Sequence, residues 1–268
     1  SFQDCTLEPT DHARHALRLG FRQVKGLSAG EAGRIAASRG TEGYESLADI
    51  VRRADISIGA LEALGRADGF TSLGLDRRTA LWELRRLRRQ KSHDLPLFAH
   101  AERRHASLYP PQAEVGLPAT QPGEAVMLDY QATSLSLKAH PMRLLAEFVE
   151  ADRWQLCSAA QQVRDGQRLR LIGLVAGRQR PGTAKGTVFV TLEDDAGSLN
   201  VIVWPKLVAR DRRALLGAHI MGVVGRVQKQ DGVLHLIAES LYNGDHYLGR
   251  LQPADGVARP PLKSRDFH

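Results

Sequence analysis

The sequence predicts an α+β, multidomain chain: an all-helical N-terminal part followed by a small five-stranded β-barrel. Three observations carry this. Apolar residues recur at helical spacing, punctuated by glycines, over residues 12–92. From 167 to 242 the pattern switches to alternation of apolar and polar residues. A proline-rich stretch lies between the two. The 268 residues suit roughly two domains at about 100–200 residues each. A hydrophobic share of 43% and a charged share of 25% exclude wholesale disorder.

In the first part, Leu17, Phe21 and Val24 recur at spacings of four and three, so residues 12–24 are expected to form a helix. A second helix is expected from about Ala29 to Ser38. Leu47, Ile50 and Val51 form one stripe of a third, ending near Asp55. Ser57 is placed to cap a short fourth helix that Gly69 ends, and Asp76 to cap a long, basic fifth.

Residues 93–137 read as a connector with an extended path, holding Pro96, Pro110, Pro111, Pro118 and Pro122. Residues 138–166 read as a helical lead-in, with Pro141 suited to a first turn. The runs LRLIGLVAGRQR, TVFVTLEDD, SLNVIVWP, HIMGVVGRVQK and GVLHLIAESL then read as strands, with one helix after the third. Three strands, a helix and two strands is the order of an OB barrel, placed at 167–245, and residues 246–268 read as a loosely attached tail.

Charge is uneven along this organisation. Residues 1–92 carry 16 Lys/Arg against 12 Asp/Glu, residues 93–167 carry 6 against 9, and residues 168–268 carry 15 against 9. Two basic blocks around an acidic connector fit two nucleic-acid-facing modules; the plain alternative is solubility charge. No apolar run approaches the roughly 20 residues that span a bilayer, and the start lacks a signal-peptide core. Two distant cysteines, Cys5 and Cys157, fit a reducing cytoplasm rather than a disulfide scaffold.

Residues 21–28, FRQVKGLS, followed by Ala32, Ile35 and Ala36, resemble a helix-hairpin-helix motif. Gly26 suits the tight hairpin, and Ala32 lets the helices approach. Amides at the start of the second helix would then point at a DNA phosphate. Ser28 stands where the motif has its second glycine, and its hydroxyl is a further candidate phosphate donor. Arg22, Lys25 and Arg34 are the candidate side chains; the alternative is a plain helical hairpin. A more degenerate copy lies in residues 61–84. Arg85, Arg86, Arg88 and Arg89 form either a phosphate-facing or a merely solvated run.

In the barrel, Val188, Val190 and Leu192 alternate with Thr187, Phe189 and Thr191. If the first set is core, Phe189 is a stacking platform for a base; the opposite register buries it. Trp204 raises the same question. The loop after the first strand carries Arg178, Arg180 and Lys185 among flexible glycines, and Arg226 and Lys229 would extend the groove. Packing or protein contact is the competing use of such a barrel. The triplet Glu193-Asp194-Asp195 is the only acidic one, and it ends a strand before a turn, an ordinary place for acids. No P-loop, nucleophile-elbow or HExxH pattern occurs, so no catalytic residue and no metal ligand is assigned.

Taken together, DCTLE, ALRLGFRQVKGL, IGALEALGRADGFTSLG, LPLF, DYQATSLSLKAHPM, GTVFVTLEDDAGSLNVIVWP and the ending SRDFH resemble the C-terminal part of bacterial C-family DNA polymerases, of the error-prone ImuC type. The resemblance implies that residues 1–12 end the fingers region and that 13–92 form a tandem helix-hairpin-helix domain on primer-template duplex. It places the OB domain by single-stranded template. It also implies a parent enzyme that is a DNA-directed DNA polymerase of damage-induced mutagenesis and translesion synthesis. The palm carboxylates that hold Mg²⁺ lie outside this chain, so the chain alone is expected to be inactive and to carry no cofactor.

Replicative relatives bind the sliding clamp through a peptide between these domains. Asp94, Leu95, Pro96, Leu97 and Phe98 occupy that place here, with Asp94 replacing a glutamine. Clamp binding is therefore expected to be weak or indirect, with ImuA- and ImuB-type proteins as partners. The alternative function is a non-catalytic interaction module that docks mutagenesis proteins.

Overall fold

Serine and aspartate caps set the helices of the N-terminal unit. In the computed structural model, which describes residues 1–10, 14–93, 119–230, 232–251 and 265–267, α1 spans Ala29–Ser38, α2 Leu47–Ala54, α3 Ile58–Arg66 and α4 Arg77–His93. The Ser28, Ser46 and Ser57 hydroxyls accept from the amides three residues on, and Asp76 accepts from the Thr79 amide at 2.7 Å. At the end of α3, Asp68 takes a left-handed φ of 58° and the Gly69 amide donates to the Leu64 carbonyl. The enclosed core joins Ile35, Leu47, Ile50, Leu61, Leu64, Phe70, Ala80 and Leu84.

The helix expected over 12–24 does not form. Thr6–Pro9 (β1) and His15–Arg18 (β2) pair as an antiparallel hairpin, with Leu7 opposite Leu17, and Phe21–Gln23 make one 3₁₀ turn. The Phe21 and Arg22 amides donate to the carbonyls of Phe2 and Gln3. A β-carbon on Gly20 would collide with the backbone of Asp4. The close return of residues 2–5 thus supplies hydrogen bonds that override the local helical spacing.

The C-terminal unit covers residues 121–268. Its first helix, α5 (Pro122–Thr133), lies where an extended connector was expected; Pro122 starts the helix, where a missing N–H costs nothing. Next comes α6 (Pro141–Ala151), with the His140 ring capping the Met142 amide. The helix expected to continue to 166 stops at Ala151, and Gln155–Leu156 (β3) and a 3₁₀ segment, Cys157–Gln162, follow.

The barrel strands are β4 (Arg168–Gln179), β5 (Val188–Glu193), β6 (Ser198–Val203), β7 (Ile220–Gln230) and β8 (Val233–Asn243). They hydrogen-bond in the order β4-β5-β6-β8-β7 and close back through β4–β7; only β6–β8 is parallel among these pairs. Two short helices, α7 (Pro205–Arg210) and α8 (Arg212–Gly217), fill the single break expected after the third strand. Val190, Leu192, Val201, Val203, Met221, Val223 and Leu236 fill the interior.

A second core under α5 and α6 joins Met127, Met142, Leu145 and Val149 to Ile172 and Ile220. It also takes in Tyr247, Leu248 and Leu251 of the 3₁₀ segment Asp245–Leu251, so the start of the expected loose tail is docked. Arg265–Phe267 (β9) adds parallel to β4 at Gly177–Gln179.

Candidate nucleic-acid interface

Register builds the barrel's outer face. Gln179, Phe189, Ile202, Ile237 and Arg226 are successive cross-strand partners over five strands. A second row runs Gly177, Thr191, Asn200, His235 and Gln228. The residues between these rows, Val190, Val201 and Leu236, point inward with no exposure. Phe189 is therefore on the outside, between Gln179 and Ile202 with Ile237 one strand further on, and the register left open by the sequence is the one that offers its ring. The Thr191 hydroxyl donates to Asn200 Oδ1 at 3.0 Å, while the His235 Nδ1 is buried without a hydrogen-bond partner among the described residues. Ile202, Ile237, Asn200 and His235 were not singled out from sequence. The signal was their parity within strands, which becomes a surface only once strand order is known.

The loop after β4 turns through a 3₁₀ step at Gly182–Ala184, with Lys185 and Gly186 both at positive φ, 47° and 88°. Arg180 and Lys185 are exposed beside it. Arg178 is not part of that surface. It is only 7% exposed, and its guanidinium donates to the carbonyls of Leu215 and Ala218, tying β4 to the end of α8. A cation buried against carbonyls satisfies those acceptors and is closed to a phosphate, so its assignment as a DNA-facing residue is corrected. Trp204, at the start of α7, is exposed.

Arg226 lies at the end of the first row and donates to Glu239 at 3.2 Å, as Arg168 does at 2.7 Å. Lys229 donates from Nζ to the Gln161 carbonyl at 3.2 Å. Arg168 and Arg226 hold the Glu239 carboxyl below its usual range, the Arg168 hydrogen bond above all. Of the acidic triplet, Asp194 faces inward. Its carboxylate accepts from the amides of Ser158 (2.7 Å), Ala196 (2.9 Å) and Gly197 (3.0 Å), so it closes a turn.

In the helical unit, Gly26 takes a φ of 87° between Lys25 and the start of α1, after the 3₁₀ turn Phe21–Gln23 that stands where the motif's first helix was expected. Lys25 and Arg34 are exposed, and Arg22 donates to Asp4 at 2.6 Å. Ser28 departs from expectation. Its oxygen caps the Glu31 amide, and its hydroxyl proton goes to the Glu31 carboxylate at 2.7 Å, a capping box that leaves none for a phosphate. Of the basic run in α4, Arg85, Arg86 and Arg88 are exposed, and Arg88 lies 3.8 Å from Glu62. The peptide Asp94–Phe98 lies outside the described residues.

These two surfaces match two known families. Residues 1–80 match the helix-hairpin-helix motif and residues 160–243 the OB-fold nucleic acid binding domain. The class is thus a helix-hairpin-helix domain joined to an OB-fold domain of nucleic-acid-binding type. The chain is 43% identical over 267 residues to error-prone DNA polymerase 2 of Rhizobium meliloti, covering 98% of this chain and 24% of that protein. It is 42% identical to error-prone DNA polymerase 3 of Agrobacterium fabrum, over 90% and 22%. An error-prone DNA polymerase of Rhodopseudomonas palustris is 40% identical, over 98% and 24%. The chain is homologous to a segment of the error-prone DNA polymerases, and the resemblance read from its motifs holds along nearly its whole length. It spans about a quarter of the length of these relatives. Among solved structures, an asparaginyl-tRNA synthetase from Pyrococcus horikoshii is 22% identical over 33% of this chain and 22% of its own, with a TM-score of 0.29.

Proposed function

We propose that this chain is the DNA-holding C-terminal portion of an error-prone, DNA-directed DNA polymerase. In this reading the helical unit grips primer-template duplex through Lys25, Arg34 and the exposed arginines of α4. The barrel takes single-stranded template across Phe189, Ile202 and Ile237. The observation that carries the reading is this apolar row on the outer face, ended by Arg226 and bordered by the loop of Arg180 and Lys185. Stacking surface beside exposed cations is what sequence-tolerant binding of single strands uses. Nucleotidyl transfer and its Mg²⁺ belong, in this proposal, to a palm domain outside this chain, and the chain alone is inactive.

In this reading the parent enzyme acts in damage-induced mutagenesis and translesion synthesis in the cytoplasm, with ImuA- and ImuB-type partners and weak or indirect clamp contact; the relatives' name, error-prone DNA polymerase, supports the polymerase assignment alone. No described helix is long and apolar enough to cross a membrane.

Binding of primer-template DNA over a salt series tests the proposal. Affinity should fall steeply with salt, and Lys25→Glu and Arg180→Glu should each weaken it. Undetectable binding at low salt, or indifference to both reversals, overturns it. Capture of a mutagenesis partner that survives both reversals and is lost on truncating the barrel would favour the docking module instead.

A further inference from the structure

The barrel carries a second recess, of about 380 Å³, away from the Phe189 row. Gly222 of β7 forms its floor. A β-carbon there would lie 2.6 Å from Trp154 Cη2, so the missing side chain is what lets the indole rest on the strand. Trp154 is 7% exposed and meets Tyr242 edge-on, with centroids 5.4 Å apart. Arg170 lies over the indole with its guanidinium carbon 4.1 Å from the ring centroid. The indole face is thus covered by Arg170, whose side chain stays exposed to solvent. Tyr242 remains 48% exposed, and Asn243 and Asp152 also line the recess, the Asp152 carboxylate accepting from the Tyr247 hydroxyl.

The recess is continuous with the proposed template face. Strand β8 carries both Ile237, in the apolar row, and Tyr242, opposite Gly222. At about 3.3 Å per residue these lie about 16 Å apart along the strand, a reach of a few nucleotides. Between them Arg168 and Arg226 flank Glu239, and Arg210 donates to the Glu239 carbonyl and to Ser240 Oγ. All three side chains are more than half exposed; Arg210 is paired with Asp211, and Arg168 and Arg226 with Glu239, so the stretch sets three arginines against two carboxylates and keeps a net positive charge. An exposed aromatic ring, an exposed guanidinium and polar groups in the lining match a base, its phosphate and its polar edge. They do not match an apolar side chain or a lipid.

We propose that this recess is a second single-stranded DNA subsite, taking one base against Tyr242 and the adjoining phosphate on Arg170. The strand would reach it from the Phe189 row along the arginine track. The proposal rests on the barrel binding single-stranded DNA, and adds a subsite off the sheet face.

Anisotropy of labelled oligothymidylates on the full chain tests it, with one oligomer of about 4 and one of about 16 nucleotides, the limits of OB-fold site size. Tyr242→Leu should weaken the long oligomer about 5- to 150-fold, the worth of one stacked base, and leave the short one unchanged. Arg170→Gln should reduce the salt slope for the long oligomer by about 0.7, and Phe189→Leu should weaken both oligomers. If Phe189→Leu weakens binding while Tyr242→Leu and Arg170→Gln both match wild type, the subsite is wrong and the barrel face stands. If wild type binds neither oligomer at low salt, the barrel reading itself falls. Should Tyr242→Leu fail to fold, the salt slope of the surface variant Arg170→Gln decides alone.

Discussion

The Glu31 carboxylate accepts from both the hydroxyl and the amide of Ser57, at 2.7 and 3.3 Å, and so joins α1 to the start of α3 across 26 residues of sequence. The same carboxylate accepts from Ser28 at 2.7 Å, so one side chain completes the first turns of two helices. It also places a negative charge where a helix N-terminus would otherwise draw a phosphate. The exposed cations of this unit that the proposed duplex contact uses, Lys25, Arg34 and those of α4, lie apart from that carboxylate's caps.

That relationship predicts an acid-dependent stability. The Ser57 hydroxyl, and after it Ser28, hold the Glu31 carboxyl below its usual range. A folded-state value below the unfolded one gives stability that is present at neutral pH and lost as pH falls through the folded value. Ser57→Ala should cost about 1 kcal/mol at pH 7, as loss of a helix cap does. Glu31→Gln should be less stable than wild type at pH 7 and converge with it in acid. Denaturant midpoints over a pH series check this, and a gap independent of pH refutes it.

Arg178 predicts a separation of stability from binding. Its removal strands the Leu215 and Ala218 carbonyls in a buried site, so Arg178→Ala should cost about 2–3 kcal/mol. Arg180→Glu should leave the melting temperature within about 1 °C and act on DNA affinity alone. Thermal melts paired with salt titrations of DNA binding distinguish the two; loss of affinity by Arg178→Ala at unchanged melting temperature contradicts the burial.

Cys157 predicts a silent thiol. Burial first, and then the Asp194 carboxylate that its Sγ faces at 3.3 Å, raise its pKa far above that of an ordinary thiol. Cys5 is exposed. A colorimetric thiol reagent at pH 8 should therefore modify one of the two cysteines in the native chain and both in denaturant. Two fast native thiols would show the barrel core to be open.

Much of this was legible because it is local. Ser57 and Asp76 announce their helices through caps, and Val188, Val190 and Leu192 announce a strand by alternation. What escaped depends on contacts distant in sequence. Leu17, Phe21 and Val24 have helical spacing, yet the carbonyls of Phe2 and Gln3 claim the amides of Phe21 and Arg22. Pro122 reads as connector beside Pro118, yet it opens a helix whose Met127 is buried in the second core. Arg178 and Arg180 are two residues apart, and no local pattern tells which one lies under α8. The row of Phe189, Ile202 and Ile237 exists only after β6 and β8 pair in parallel.

Tyr247 gives a final test, because it fastens the segment Asp245–Leu251 to the second core. Its ring is buried and its hydroxyl donates to Asp152 at 2.5 Å. Burial first, and then this bond, push its pKa up to about 12. A folded value above the unfolded one means stability that is fully present below about pH 10 and lost as pH rises towards 12. Tyr247→Phe keeps the ring in place and removes only the bond, so it should cost about 1 kcal/mol at neutral pH. That gap should close between pH 10 and 12, where unfolded wild type releases the Tyr247 proton that the folded chain retains, which favours unfolding of wild type alone. Tyr130, pushed up to about 12 by burial and by Glu193, titrates in both proteins and cancels from the difference. Urea midpoints of the pair over this range decide the matter: a gap unchanged at pH 11.5 would mean that the Asp152 bond does not hold the segment.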